Sequence, residues 1–489
     1  MKIDVVDAQL DSFKTELIVV GLFSPAEEVP AELKSVDAKL NGAIAHAIKG
    51  KEFEGEYQQF RLVSTLDKIP AKNILLIGLG KKEDANIELL RRAAGLSARI
   101  ARDFCGITEF STTLHNIELD VSKEERAQAV AEGSVLGSYQ YIKYRTVDKE
   151  KIKVIQSITL VGNGVDAFVK KGAVLAECEN LVRDLANEPA SNLKPEQLAD
   201  VAKELEKLGV KVSVYDKKGI EKLGLTALLA VNRGSVNEPR FVVMEYGSGK
   251  RVALVGKGLT FDAGGLDLKP DDSMLTMKHD MCGAAVVIAT VKAAALLKLK
   301  MNVVGVFAST ENMPGMDAYK PGDIIPAFNG KTIEVANTDA EGRIVLADAL
   351  AYTEKVLKPD AIIDLATLTG ACMVALGNVC AGVMGKDKNL ISHLMKSGNV
   401  TGERVWELPF FQEYHEQVKS EVADVRNLGI YKYGGAITAG AFLSAFVEKT
   451  PWAHIDIAGT SWSDIDLDYT RKGGTGFGVR LLVHALENW

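Results

Sequence analysis

Four stretches in the second half of the chain, Val252–Val255, Val303–Phe307, Ile333–Val335 and Ala361–Leu365, are β-branched or aliphatic runs, and the first two carry no polar residue at all. A strand that is apolar on both sides has to be covered on both sides, which is the situation of a largely parallel sheet with helices on its two faces. Each run leads into a polar or glycine-containing loop, and most of those loops lead into a helical pattern. The rhythm predicts an α/β fold. In such sheets ligands gather outside the carboxyl ends of the strands, so the loops after these runs are where chemistry is expected.

The rest of the chain fits a second α/β unit. A length of 489 residues exceeds what one hydrophobic core usually holds. In the first third, Leu17–Val20, Phe60–Ser64, Ile74–Ile77 and Val154–Leu160 read as strands, and Ala38–Ile48, Ile87–Phe104 and Lys123–Ala131 as helices. A long helical stretch, Val165–Leu185, then runs into the Pro/Asn/Ser-rich loop Asn187–Pro195, the composition of a domain junction. The expected division is an N-terminal α/β domain over 1–165, a connecting helix and linker over 166–190, and a larger domain over 191–489. Gly78-Leu79-Gly80 follows a strand but lacks the third glycine and the acidic residue of a dinucleotide fingerprint, so it reads as a turn.

Composition excludes several classes. A net charge of −7 gives no general pull toward nucleic acid, although a local basic patch stays open. The first residues lack the basic and apolar regions of a signal peptide, and no uninterrupted apolar run spans a bilayer, so a cytoplasmic protein with no membrane contact is expected. Five scattered cysteines without a C-x-x-C pair read as reduced core thiols.

The densest chemistry lies in Asn337–Arg343 (NTDAEGR). Lys331–Ala336 before it reads as a strand, and Ile344–Leu357 after it as an amphipathic helix stopped by Pro359. If the segment stays extended, Asp339 and Glu341 point the same way, and two acids in one volume call for a shared proton or a cation. An Asp-x-Glu pair before a helix is also an ordinary cap. Gly342 and Arg343 stand where helix N–H groups favour an anion. Other loops supply more charge: Lys257, Asp262, Lys269 and Asp280 all follow or end the Val252 run, enough for a two-metal site with cationic helpers.

At this point a resemblance becomes specific. VGKGLTFDAGGLDLKP, MKHDMCGAA, ENMPGMDAYKPGD, NTDAEGR and DLATLTGA, in this order and spacing, resemble the leucyl aminopeptidase (cytosol aminopeptidase) family of bacterial type. The likeness continues through SEVADVRN, GGAITAGAFL, HIDIAGTSW and GGTGFGVR, and so covers residues 180 to 489, while the first 165 residues match in α/β character only. It implies a smaller N-terminal α/β (macro-like) domain and a larger catalytic domain with a mainly parallel central sheet flanked by helices. It also implies a metal-dependent aminopeptidase that releases leucine and other mainly apolar N-terminal residues from peptides. The departures are small: relatives often carry a second proline or a Thr in the junction, and many have glycine where this chain has Cys282.

Roles carried over by resemblance are as follows. Lys257, Asp262, Asp280 and Glu341 match the ligands of a tightly held divalent ion, and Asp262, Asp339 and Glu341 those of an exchangeable one, with Mn2+ or Zn2+ expected and Mg2+ compatible with the exchangeable site. Lys269 matches the lysine that polarises the scissile carbonyl. Arg343 matches the arginine that holds a bicarbonate ion as general base, with Gly342 and Leu368 beside that anion. A metal-bridged water attacks, and Asp280 receives the substrate's α-amino group. Met277, Thr367, Gly370 and Ala458 match the pocket for the first side chain, with Asp280 at its edge. The family's assembly is a homohexamer, a dimer of trimers. Two other readings remain: the same fold with an additional DNA-binding or regulatory role, and a di-metal phosphatase, against which stands the lack of a P-loop glycine pattern.

Overall fold

In the first third of the chain the apolar runs become six strands: Lys2–Val6 (β1), Leu17–Ser24 (β2), Phe60–Ser64 (β3), Asn73–Lys81 (β4), Glu109–Thr112 (β5) and Ser157–Val161 (β6). They form one sheet in the order β1-β6-β5-β2-β4-β3, parallel throughout except for the β3–β4 edge pair. The helix expected over Ala38–Ile48 is two short helices, Lys34–Lys39 and Ala43–Lys49, because Asn41 and Gly42 adopt positive φ between them. The Gly78-Leu79-Gly80 turn is instead part of β4. A Cβ on Gly78 would stand 1.9 Å from the carbonyl oxygen of Glu56, so the glycine lets a neighbouring segment cross the strand.

Helices Ile87–Arg99 and Lys123–Gly137 start where their caps dictate. The Asn86 side chain accepts from the Leu89 N–H, and Ser122 and Glu125 form a reciprocal capping box. Their close approach depends on Gly133, where a Cβ would meet the Arg91 carbonyl oxygen at 1.9 Å. The buried Arg91 guanidinium bonds Glu132 at 2.7 Å.

The structure describes residues 1–489, a computed structural model that divides into two units. The first comprises Met1–Asn180 and also Ile465–Lys472, a return that nothing in the sequence announces. Within that unit Asp468 accepts from the Tyr57 hydroxyl, the Gln58 amide and Arg92 Nε, each at 2.6 Å. The second unit comprises Leu181–Asp464 and Gly473–Trp489, and the division falls inside the single helix Asp166–Asn187.

Thirteen further strands belong to the second unit: Lys211–Tyr215 (β7), Arg240–Tyr246 (β8), Arg251–Asp262 (β9), Asn302–Asn312 (β10), Ile324–Pro326 (β11), Thr332–Glu334 (β12), Ala361–Ala366 (β13), Ala381–Gly385 (β14), Val405–Glu407 (β15), Val425–Arg426 (β16), Trp452–Asp456 (β17), Trp462–Ser463 (β18) and Gly473–Gly474 (β19). The main sheet has the order β15-β14-β17-β13-β9-β10-β8-β7, with β17, β13, β9 and β10 parallel at its centre and antiparallel pairs toward its edges. Strands β11, β12 and β16 form a small separate sheet. The central strands are buried along nearly their whole length, as the apolar runs within them require.

Two helices cover this sheet more deeply than their sequences suggest. Met277–Leu297 is long and apolar enough to cross a membrane by length and composition, although Asp280 and Lys292 interrupt it, but 83% of that window is buried in the fold and it is a core helix. The segment expected as an amphipathic helix over Ile344–Leu357 begins earlier, at Glu341, and every residue from Glu341 to Tyr352 is buried. Its one mid-helix acid, Asp348, accepts the backbone N–H groups of Ala227 (2.8 Å), Leu228 (3.0 Å) and Phe328 (2.8 Å). Burial pushes its carboxyl up to about 7, with the three N–H groups pulling the other way. Asp348→Ala leaves three buried donors unpaired and is expected to lower stability by about 3 kcal/mol or more, read as a lower urea midpoint; Asp348→Asn, which keeps one acceptor, is expected to lose less.

Candidate active site

Strand β9 carries Lys257 and Asp262, five residues apart, an odd interval that in a regular strand puts two side chains on opposite faces. Against β10, however, Leu259 pairs with Thr310 and Phe261 with Glu311, so Thr260 is an extra residue. This β-bulge resets the alternation and lets Lys257 and Asp262 serve one site. Asp280 arrives from the other side, on the turn that opens the buried Cys282–Leu297 helix. Gly256 and Gly283 let that helix lie against β9, since a Cβ on Gly283 would meet the Leu365 carbonyl oxygen at 2.2 Å and one on Gly256 the Ala284 backbone at 2.6 Å.

Asp339 and Glu341 do not continue an extended strand as expected. β12 ends at Glu334, a turn follows, and Ala340 (φ −109°, ψ 41°) caps a helix whose first residue is Glu341. The two acids therefore converge through a turn and a helix start. Asn427 holds that turn: its Oδ1 accepts from Ala336 N at 2.7 Å, and its amide donates to the Asn337 carbonyl at 2.6 Å.

Six of the expected residues meet directly. Lys257 Nζ, buried, donates to the Thr367 carbonyl (3.0 Å) and forms ion pairs with Asp280 Oδ2 (2.8 Å) and Glu341 Oε1 (3.0 Å). Lys269 Nζ lies 2.8 Å from Asp262 Oδ2 and 2.5 Å from Asp339 Oδ1. Carboxylate oxygens of Asp262, Asp280 and Glu341 lie within 4.8 Å of one another. Thr367 Oγ1 donates to Asp280 Oδ1 at 2.6 Å and aims that carboxylate.

The electrostatics follow from burial. Desolvation, then the neighbouring Asp262 charge, pushes the carboxyls of Asp339 and Glu341 up; desolvation raises Asp280 as well, with Asp262 adding to it against the pull of Lys257. Burial alone would lower both lysines, but the carboxylates outweigh it and hold Lys257 and Lys269 above the usual lysine range. Two ammonium groups thus stand as cations among four carboxylates. Asp280 Oδ2 and Asp339 Oδ1 are within ion-pair reach of a lysine yet have no well-angled hydrogen bond. An all-oxygen set with orphaned carboxylate atoms and one amine fits hard or borderline divalent cations.

Arg343 stands apart from that cluster. It is buried, its NH1 donates to the Asn427 carbonyl at 2.8 Å, and its Nε has no partner. Burial brings the guanidinium down to about 10. A buried guanidinium with an orphaned donor fits an anion. Gly342 has a different reason from the one its neighbour suggests: a Cβ there would meet Lys257 Cε at 2.5 Å, so the glycine clears the lysine. The backbone N–H of Leu368, expected beside that anion, is donated to Asp456 Oδ1 at 3.1 Å.

Among the expected pocket residues, Thr367 and Ala458 are buried, Met277 is half-buried on the turn before Asp280, and Gly370 is exposed with open space where a Cβ would be. Asp456 joins two walls of this region, accepting from Leu368 N, Thr369 Oγ1 (2.7 Å) and Ala458 N (3.1 Å). Asp456, Asn427, Asn312 and Tyr319 were not singled out from sequence. The available signal was a polar residue closing an apolar strand, as Asn312 closes β10 and Asp456 closes β17.

Comparison with known proteins agrees with this arrangement. The description "Cytosol aminopeptidase family, catalytic domain" matches residues 180–483, and the family's N-terminal domain matches residues 19–148. A probable cytosol aminopeptidase of Geobacter sp. (strain M21) is 44% identical over 97% of this chain and 97% of its own length. One from Sulfurihydrogenibium sp. (strain YO3AOP1) is 44% identical over 99% and 97%. Among solved structures, a mutant of tomato leucine aminopeptidase superposes with a TM-score of 0.89 at 32% identity, covering 100% of this chain and 97% of that one. The bottromycin maturation enzyme BotP in complex with Mn gives 0.87 at 34%, covering 97% and 99%. Matched in both of its domains and along nearly its full length, this chain belongs to the cytosol aminopeptidase family.

Proposed function

We propose that the chain hydrolyses the first peptide bond of peptides, preferring leucine and other apolar N-terminal residues, at a centre holding two divalent cations. The observation that carries this reading is the pair of lysine ammonium groups, one buried and one half-buried, set among four carboxylates, two of which have an oxygen with an ion pair but no well-angled hydrogen bond. Lys257, Asp262, Asp280 and Glu341 would hold one cation, and Asp262, Asp339 and Glu341 the other, with Mn2+ or Zn2+ the expected metals and Mg2+ compatible with the second position. Bound there, the cations supply Lewis acidity and a water of lowered pKa.

The chain's own residues do the rest. Lys269, paired with Asp262 and Asp339, would be free to donate to the scissile carbonyl oxygen, where negative charge develops, once those carboxylates were held by the cations. Asp280, aimed by Thr367, receives the α-amino group and so restricts cleavage to a free N-terminus. Met277, Thr367, Gly370 and Ala458 form the recess for the first side chain, held together by Asp456. Arg343, with the backbone at Gly342, would hold bicarbonate, which supplies a general base. The relatives' name supports a cytoplasmic location, and the family resemblance supports a homohexamer built as a dimer of trimers.

Four outcomes test this reading. Chelated protein is expected to be inactive on leucine p-nitroanilide and to recover with Mn2+ or Zn2+ in the presence of bicarbonate; no turnover under those conditions would sink the proposal. Because Lys257 has to lose its proton to become a ligand, cation uptake should release protons and tighten as pH rises, which calorimetry in two buffers of different ionisation enthalpy measures. Arg343→Ala is expected to lower kcat by about 100-fold while metal content stays at the wild-type level; lost metal would count against an anion-holding role. Light scattering should give a mass six times the 52.7 kDa of the chain, and a mass of 52.7 kDa would contradict the hexamer.

A further inference from the structure

Asn312 is the last residue of β10, lies in register with Asp262 at the end of β9, and is fully buried. Its amide nitrogen has two hydrogens and two well-placed acceptors: Asp262 Oδ1 at 2.8 Å and the Thr338 carbonyl at 3.0 Å. The same nitrogen lies 3.5 Å from Glu341 Oε2. Flipping the amide would put its oxygen against these acceptors, so the orientation follows from the charges around it. The Thr338 carbonyl is fixed a second time, by the buried Tyr319 hydroxyl at 2.7 Å. Thr338 is tied in turn to the loop after β9: its N–H donates to Asp267 Oδ2 at 2.7 Å and its hydroxyl to the Gly264 carbonyl at 2.7 Å.

Asp262 ends a strand, whereas Asp339 and Glu341 follow a turn some eighty residues later in the chain. No element of secondary structure sets the distance between these two halves. One amide group spans them, with one hydrogen on each side. We infer that Asn312 is a positioning residue that fixes the separation of Asp262 from the Thr338–Glu341 turn, and thereby the spacing of the cation pair, with Tyr319 bracing the same carbonyl. The inference rests on the two-cation reading above and concerns residues that touch neither cation nor substrate. Asp262 Oδ1 is committed to Asn312 and to the Gly264 N–H at 2.9 Å, which leaves Oδ2, now on Lys269, to face the centre. Without the amide, Asp262 Oδ1 keeps only the Gly264 N–H and the Thr338 carbonyl only the Tyr319 hydroxyl, so no side chain holds the two acceptors at a fixed separation.

The test uses the full chain loaded with manganese alone. Wild type is expected to bind two ions per chain and to give the electron paramagnetic resonance spectrum of an exchange-coupled pair. Asn312→Leu and Asn312→Asp, neither of which can donate, are expected to bind the second ion about 10-fold or more weakly and to show the six-line signal of isolated ions at loadings where wild type is coupled. Tyr319→Phe, which removes one brace and keeps the amide, is expected to shift affinity in the same direction by less. Two ions at wild-type affinity with an unchanged coupled spectrum in both Asn312 variants would overturn the inference. If the Asn312 variants do not fold, an unchanged affinity and spectrum in Tyr319→Phe would overturn it instead. Fewer than two ions in wild type would remove the two-cation reading itself, a result the variants do not produce.

Discussion

Four carboxylates from three separate segments, three of them buried and Asp339 half-buried, lie together, and everything around them answers to the repulsion among them. Two like charges 4 Å apart at an effective dielectric near 20 repel by about 4 kcal/mol. Asp262, Asp280 and Glu341 bring oxygens within 4.8 Å of one another, so several such terms would act together. Lys257 and Lys269 absorb the repulsion, each lying between two acids from different elements. In the proposed reading a bound dication would take over that compensation, leaving Lys257 to serve as a ligand and Lys269 to face substrate.

Such a cluster survives only on a stiff frame. The parallel core of β17, β13, β9 and β10 supplies it, and the site lies at the carboxyl ends of those strands. The local devices are specific. A bulge at Thr260 brings Lys257 and Asp262 to one site, Gly256 and Gly283 admit the Asp280 helix, and Gly342 leaves room for the Lys257 side chain. Polar residues at strand ends, Asn312 on β10 and Asp456 on β17, then act as ties, one toward the acids and the other toward the side-chain recess.

Much of this was legible before any coordinates. Strands β9, β10 and β13 were marked by apolar runs, and Lys257, Asp262, Lys269, Asp280, Asp339 and Glu341 by charge in the loops that follow or end those runs. What misled was local geometry. Alternation along an extended chain was a sound rule applied to Asp339 and Glu341, where the chain had already turned into a helix. The Glu341–Tyr352 segment reads as amphipathic because Asp348 and Arg343 interrupt it, yet both are buried and serve backbone or site. Periodicity measures polarity and is blind to a polar side chain whose partners come from elsewhere in the chain.

The order of residues by itself determined the α/β class, the family and the inventory of acids and bases, because apolar runs and short charged motifs are properties of neighbouring residues. Tertiary structure alone decided which acids and lysines lie within ion-pair reach of one another, that the Leu368 N–H belongs to Asp456, that Ile465–Lys472 returns to the first unit, and that one amide on Asn312 reaches both Asp262 and the Thr338 carbonyl. The physical reason is range. Strand and helix preferences act over a few residues, whereas hydrogen bonds and charge compensation act over a few ångströms between residues that can be a hundred positions apart.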